Sequence, residues 1–359
     1  MSRMSKVLFT LVLVLFVGSS VWLSFNAISR PTYEYEEQTN VGGTGVDGAV
    51  LSGFNGNPET PIVRVYHPMV KNSEGIYPEA FDYGEDAPVV AMDHLEYTQD
   101  EAAPAYIEDT SRTVVAIDKF TFVSDENMQY CYIGPDVAYV DPQAFFGCFA
   151  LRAIYVDEAN PYYTDIDGVL YTKDMKTMII YPTYHIVHLQ DIGKVPVGYY
   201  DDPEVHPETY EIPEGVEKIA SGCFYKTWGI REITLPSTLK EIGDMAFFKC
   251  QSLQLINLPD GLETIGDDAF SYCFSMMGVV YIPESVKTIG HHCFYKCELN
   301  NEINVEFYMG HQSEDEIDLG GRWLPKKENR FTSDPPFWGK TREEAAARTA
   351  EIVKEKTGA

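Results

Sequence analysis

His291-His292-Cys293-Phe294-Tyr295-Lys296-Cys297 places two imidazoles and two thiols within seven positions, and these are the residue types that hold zinc. Structural zinc takes four ligands in a tetrahedron, so the reading requires all four side chains to converge on one point. A second cluster, Asp157, Glu158, Asp165 and Asp167, offers carboxylate oxygens of the kind calcium prefers. Its spacing matches no recognised calcium loop, and turn formation accounts for Asp165-Ile166-Asp167-Gly168 without a metal. The glycine-rich run 41–58 lacks the Lys-Ser/Thr ending of a phosphate loop and reads as a spacer. The chain has neither a Gly-x-Ser-x-Gly nor a His-Glu-x-x-His motif, so no short signature names an enzyme.

Whether the histidines and cysteines converge depends on the elements that carry them, and these are repeats. Three segments align in register: IPEGVEKIASGCFYKTWGIREITL from Ile212, LPSTLKEIGDMAFFKCQSLQLINL from Leu235 and LPDGLETIGDDAFSYCFSMMGVVYI from Leu258. A fourth, IPESVKTIGHHCFYKC, begins at Ile282, and an earlier one, IGPDVAYVDPQAFFGCFALRAIYV, at Ile133, giving five units between residues 133 and 305. A unit this short cannot bury its apolar side alone, and stacking units creates a continuous core. The frame predicts an internal ladder of Phe145, Phe224, Phe247, Phe270 and Phe294. It puts Cys297 in the slot of Cys148, Cys250 and Cys273, and Cys293 in the slot of Ala144, Ala246 and Ala269, both facing the core as small apolar residues. His291 and His292 fall in the preceding surface turn, so the two pairs are expected to point apart and no metal or cofactor is called for. Pairing between stacked cysteines of neighbouring units is the alternative use of the thiols.

Composition bounds the partners. A formal net charge of −28, with 55 acidic against 27 basic side chains, argues against general affinity for nucleic acid. Residues 7–25, VLFTLVLVLFVGSSVWLSF, carry no charge and are long enough to cross a bilayer as a helix. Arg3 and Lys6 precede them and YEYEE follows, which places the body of the protein outside the cytoplasm. The small residues Gly18-Ser19-Ser20 offer a cleavage point, in which case the protein is secreted, but the apolar run resumes beyond them and favours an uncleaved anchor.

The frame Pro-x-x-Val-x-x-Ile-Gly-x-x-Ala-Phe-x-x-Cys-x-x-Leu-x-x-Ile-x-Leu resembles the BspA-like (Treponema pallidum type) leucine-rich repeat of exported proteins in host-associated bacteria and some parasitic protists. The segment DEANPYYTDIDGVLYTKDMKTMIIYP, residues 157–182, resembles the hairpin that this family inserts between repeats. Ala220 departs from the frame where glycine is usual, and the insertion is long. The resemblance implies an α/β repeat solenoid, a right-handed leucine-rich-repeat superhelix with one strand-lined face, and adhesion or protein binding without shared catalytic residues.

The expected organisation is then a cytoplasmic stub and transmembrane helix in 1–30, an acidic and Gly-rich linker in 31–60, and a small β-rich region or cap in 61–130. Repeats follow in 131–305 with the insertion at 157–211, and a C-terminal segment in 306–359. In the last, Thr341-Arg342-Glu343-Glu344 has the spacing of a capping box, predicting a helix over 341–357 that caps the last repeat. Ala346, Thr349, Ala350 and Val353 would form its packing face. Outward strand positions give the candidate partner-binding residues: Ala153 and Tyr155, Glu232 and Thr234, Leu255 and Asn257, Val279 and Tyr281, Glu302 and Asn304. The tyrosines of the insertion, Tyr162, Tyr163, Tyr171, Tyr181 and Tyr184, are either a second aromatic surface or the hairpin's own core. The expected function is a membrane-anchored cell-surface protein that binds a protein ligand; the alternative is an extracytoplasmic hydrolase with its chemistry in residues 31–130.

Overall fold

A computed structural model describes residues 32–55, 62–65, 105–106, 114–125, 128–185, 209–227, 229–297, 305–321 and 336–357. The apolar stretch 7–25 lies outside the described residues. Among the described residues no helix is long and apolar enough to cross a membrane.

The chain winds into a β-solenoid held by backbone ladders that run along its axis. On the strand-lined face, Thr209–Glu211, Glu232–Thr234 and Leu255–Ile256 pair in parallel, and Gly278–Ile282 pairs with Val305–Met309. On a second face the short strands Lys218–Ile219, Glu241–Ile242, Thr264–Ile265, Thr288–Ile289 and Asp318–Leu319 pair in parallel, one per turn. The third side is built by the Ala-Phe segments, which hydrogen-bond to their neighbours through Met245 N–H to Asp267 O (2.8 Å), Phe247 N–H to Ala269 O (2.7 Å) and Lys249 N–H to Ser271 O (2.9 Å). These segments are turns, which makes the repeats a β-solenoid and corrects the α/β assignment. The reason is local: in the later units each carries two left-handed residues four apart, such as Met245 (φ 53°) with Lys249 (φ 59°) and His292 with Lys296 (φ 54° each), and the first unit carries one, Gly147 (φ 80°). That backbone cannot propagate an α-helix.

The glycine after each Ile of the frame serves close approach. A Cβ on Gly243, Gly266, Gly290 or Gly320 would lie 2.3–2.6 Å from a backbone atom of the turn beneath. Ala220 is tolerated because the element next to its turn is the hairpin strand Thr177–Ile180, whose Met178 O accepts from Ala220 N–H at 2.9 Å.

Inside, the predicted rings stack. Centroids of Phe224, Phe247, Phe270 and Phe294 are 4.9, 4.9 and 5.1 Å apart, the spacing of neighbouring strands, with interplanar angles of 17°, 7° and 2°. Phe145 is not the rung below Phe224. Tyr181 of the insertion takes that place at 4.8 Å, while Phe145 stacks on Phe122 at 4.9 Å. The cysteine slot is also structural: Cys148, Cys250, Cys273 and Cys297 each direct Sγ at the carbonyl oxygen of a ring residue in an earlier turn, Phe122, Phe224, Phe247 and Phe270, at 2.9–3.1 Å.

The insertion forms strands Tyr163–Ile166, Val169–Thr172 and Thr177–Ile180, antiparallel to one another, and joins the second face by parallel pairing of the last with Lys218–Ile219. Val169, Tyr171, Met178 and Tyr181 enter the core of the later turns, and Tyr163, Leu170 and Ile179 the core of the earlier ones. Those earlier turns reach back before residue 131. Val114–Ile117 pairs in parallel with Tyr139–Val140, and Tyr130–Ile133 with Ala153–Val156, so these two strands supply a solenoid turn of their own.

Candidate protein-binding face

The first motif comes apart in the structure. Cys293 and Cys297 are fully buried, whereas His291 is exposed in the turn. Among the described residues no three His, Cys, Asp or Glu side chains gather into a potential metal site, and all seven cysteines are buried. Burial pushes the Cys223, Cys273 and Cys293 thiols far above their ordinary range. In the carboxylate cluster, Asp157 accepts from Ala159 N–H at 2.8 Å, closing a turn. Asp165 turns inward, where burial pushes its carboxyl up to about 6 although Val156 N–H (2.8 Å) and Gly168 N–H (3.2 Å) donate to it. Of the insertion's tyrosines, Tyr163, Tyr171 and Tyr181 are buried, and Tyr171 meets Tyr210 through their hydroxyls at 2.6 Å.

Alternation along each strand sends one side chain inward and the next outward, and this assembles the candidate face. Ile233, Ile256, Val280 and Ile282 are buried. Thr234 and Asn257 are exposed, and Glu232, Leu255, Val279 and Tyr281 are half-buried. Tyr155 does not belong to this set. Parallel register places it beside Tyr132, the rings stack at 5.3 Å, and only 9% of Tyr155 remains exposed. Glu302 and Asn304 lie outside the described residues. The strand that pairs with Gly278–Ile282 is Val305–Met309, in which Glu306 stands opposite Val279 and Tyr308 opposite Tyr281. Those two residues extend the face and were missed because the frame was carried at constant spacing through the last unit. The alternation of Val305, Phe307 and Met309 was the signal that could have found them.

The half-burial of Leu255, Val279 and Tyr281 has a cause. Helix α1, Arg342–Thr357, lies across them rather than on the open end of the solenoid. It opens with a reciprocal capping box, Glu344 N–H to Thr341 Oγ1 (3.2 Å) and Thr341 N–H to Glu344 Oε2 (2.8 Å). Polar contacts seat it. Arg342 donates to Leu258 O (2.7 Å) and to Asp260, with its guanidinium 4.8 Å from the Tyr281 ring centre. Thr349 Oγ1 accepts from Val279 N–H at 3.0 Å, a donor left free where the ladder breaks between Leu255–Ile256 and Gly278–Ile282. Arg348 forks onto Glu306 at 2.8–3.2 Å, which raises its already high pKa. Apolar contact is thin: among the described side chains of α1 only Ala345 and Ile352 are buried, and an open groove of about 740 Å³ remains between helix and strands. The expected packing face of Ala346, Thr349, Ala350 and Val353 lines that groove, while Ala346 and Ala350 stay exposed.

Comparison with known proteins agrees with the repeat. The sequence profile of the BspA type leucine-rich repeat region matches residues 206–309 in six copies, and those residues are BspA-type repeats. No curated protein matches the chain in sequence. Among solved structures, the pneumococcal vaccine antigen PcpA is similar at 19% identity and a TM-score of 0.48, over 67% of this chain and 57% of that one. A leucine-rich cell surface protein of Faecalibacterium prausnitzii A2-165 is similar at 23% identity and a TM-score of 0.40, over 57% of this chain and 53% of that one. A leucine-rich repeat protein of Eubacterium ventriosum is similar at 13% identity and a TM-score of 0.42, over 84% of this chain and 98% of that one. The chain thus spans little more than half the length of the first two.

Proposed function

We propose that this stack of BspA-type repeats is a cell-surface protein-binding module, held at the membrane by residues 7–25 and acting through its strand-lined face without catalysis. The observation that carries the reading is that this face already holds a polypeptide: the outward side chains Leu255, Val279 and Tyr281, with Glu306 beside them, seat α1. A surface that alternates apolar groups with hydrogen-bonding ones suits protein recognition. Membrane attachment rests on the uncharged length of 7–25 and its charged flanks. Val114–Ile117, within the region the hydrolase alternative relies on, and Tyr130–Ile133 at its end are strands of a solenoid turn with every residue buried, which favours a scaffold. The test is a binding screen of residues 31–359 against immobilised matrix and cell-surface proteins, beside a Thr234→Arg, Asn257→Arg variant that blocks the exposed part of the face. Loss of a hit in the variant supports the reading. A hit that survives it places binding elsewhere and removes the assignment.

A further inference from the structure

We infer that the partner of this face presents an amphipathic α-helix, and that α1 is its intramolecular competitor. The inference rests on the face being the binding surface, and it adds the class of ligand and the competition. Three observations carry it. First, the site is shaped for a helix rather than for an added strand. The Val279 amide, which an incoming strand would use, is taken by a side-chain hydroxyl, and the flanking contacts come from one side of a helix: Arg342, Ala345, Thr349 and Ile352 recur at three- and four-residue intervals. Second, the recognition groups are specific. Tyr281 takes a guanidinium over its ring, Leu258 O and Asp260 accept from the same group, and Glu306 takes a second guanidinium in a fork. The face is an acidic and aromatic receptor for an arginine-bearing helix. Third, α1 fills it poorly. Its side toward the groove is mostly alanine and threonine, and the open groove of about 740 Å³ that they line is bordered across from them by Leu255, Met277, Val279 and Tyr281. A partner helix with Leu, Met or Phe in place of Ala346 and Ala350 would fill that space while keeping the two arginines. Such a helix displaces α1 because it gains apolar contact that α1 does not make.

The experiment uses the full chain and a labelled synthetic peptide of residues 340–358, with a second peptide carrying Ala346→Leu and Ala350→Leu. Binding is read by fluorescence anisotropy against the wild-type protein and against the Arg342→Ala, Arg348→Ala protein, in which the resident helix has lost its anchors. The native peptide is expected to bind the double variant at least tenfold more tightly than wild type. The leucine peptide should bind both proteins, with a further gain of about tenfold, and Tyr281→Ala in the double variant should remove binding. Hydrogen exchange on the wild-type protein should show α1 amides exchanging at least a hundredfold faster than the ladder amides of Phe247 and Lys249, since the helix opens alone. If neither peptide binds the double variant while its melting curve is unchanged, the inference is overturned. It is equally overturned if α1 exchanges with the core, or if the variant's mass rises with concentration and so shows α1 serving a second copy. A partner from the surface screen that needs Thr234 and Asn257 while both peptides fail would sink this inference and leave the proposed function standing. Failure of both removes both.

Discussion

Gly266→Ala should destabilise the solenoid by about 3 kcal/mol. The added Cβ would lie 2.5 Å from Asp244 N and 2.7 Å from Gly243 C, both backbone atoms of the turn beneath, and 2.4 Å from Asp244 Oδ1. Ordinary contact is about 3.5–4 Å, so the turns must part locally by roughly 1 Å. Overpacking of that kind costs about 1–3 kcal/mol. Two hydrogen bonds span the same gap, Gly266 N–H to Ile242 O and Asp267 N–H to Asp244 Oδ1, each 2.8 Å, and stretching them adds about 0.5–1.5 kcal/mol apiece. Gly261→Ala is the control: its Cβ would meet nothing nearer than Ser237 O at 3.4 Å and its φ is not left-handed, so it should be neutral or stabilise by up to about 1 kcal/mol. Urea unfolding followed by far-ultraviolet circular dichroism measures both. Adding Asp244→Ala to Gly266→Ala should recover little, because the backbone contacts remain. If Gly266→Ala falls within about 0.5 kcal/mol of the control, the close-approach account of this glycine is wrong.

Other perturbations follow from the same geometry. Thr227 occupies the cysteine slot with its hydroxyl buried and without a partner among the described residues, so Thr227→Val should stabilise by about 1–2 kcal/mol in the same unfolding assay; destabilisation would mean the hydroxyl is bonded. Asp165, with its carboxyl pushed up to about 6, binds a proton more readily folded than unfolded, so its contribution is favourable below about pH 4 and is lost as pH rises toward 6 and beyond. Asp165→Asn should therefore flatten the stability curve between about pH 4 and 7 by roughly 3 kcal/mol, and an unchanged difference from wild type across that range would refute the burial argument. The seven thiols should react with a disulfide reagent only on unfolding, giving no colour in buffer and seven equivalents in denaturant; prompt reaction of even one would contradict its burial.

What the sequence made legible was whatever repeats at constant spacing. The Phe and Cys slots and the inward strand positions stack in register because each must meet its own copy one turn away, and that demand leaves a periodic trace. Tyr181 as a rung left none, since it belongs to the insertion and reaches the ladder only through the hairpin's pairing with Lys218–Ile219. The turn before residue 131 was hidden because Thr121 stands in the Ala slot and Ser124 where later units have glycine, lysine or tyrosine; only Phe122 keeps the pattern. On the face, Glu232, Thr234, Leu255, Asn257, Val279 and Tyr281 were readable from alternation alone. Tyr155 was not, because its burial depends on the neighbouring strand. The capping box located α1, but its resting place depends on contacts such as Arg342 with Asp260, 82 residues apart in sequence.

The three hydrogen-bonded ladders all run along the solenoid axis, and this has a mechanical consequence. A pull on the two ends loads those bonds in series, so the weakest junction between turns yields first and neighbouring turns keep their contacts. Each turn that peels away releases about 23 residues, which at roughly 3.4 Å per residue is close to 80 Å of extended chain. Under tension the protein should therefore lengthen in steps, each one repeat long, dissipating load while the remaining turns hold their shape.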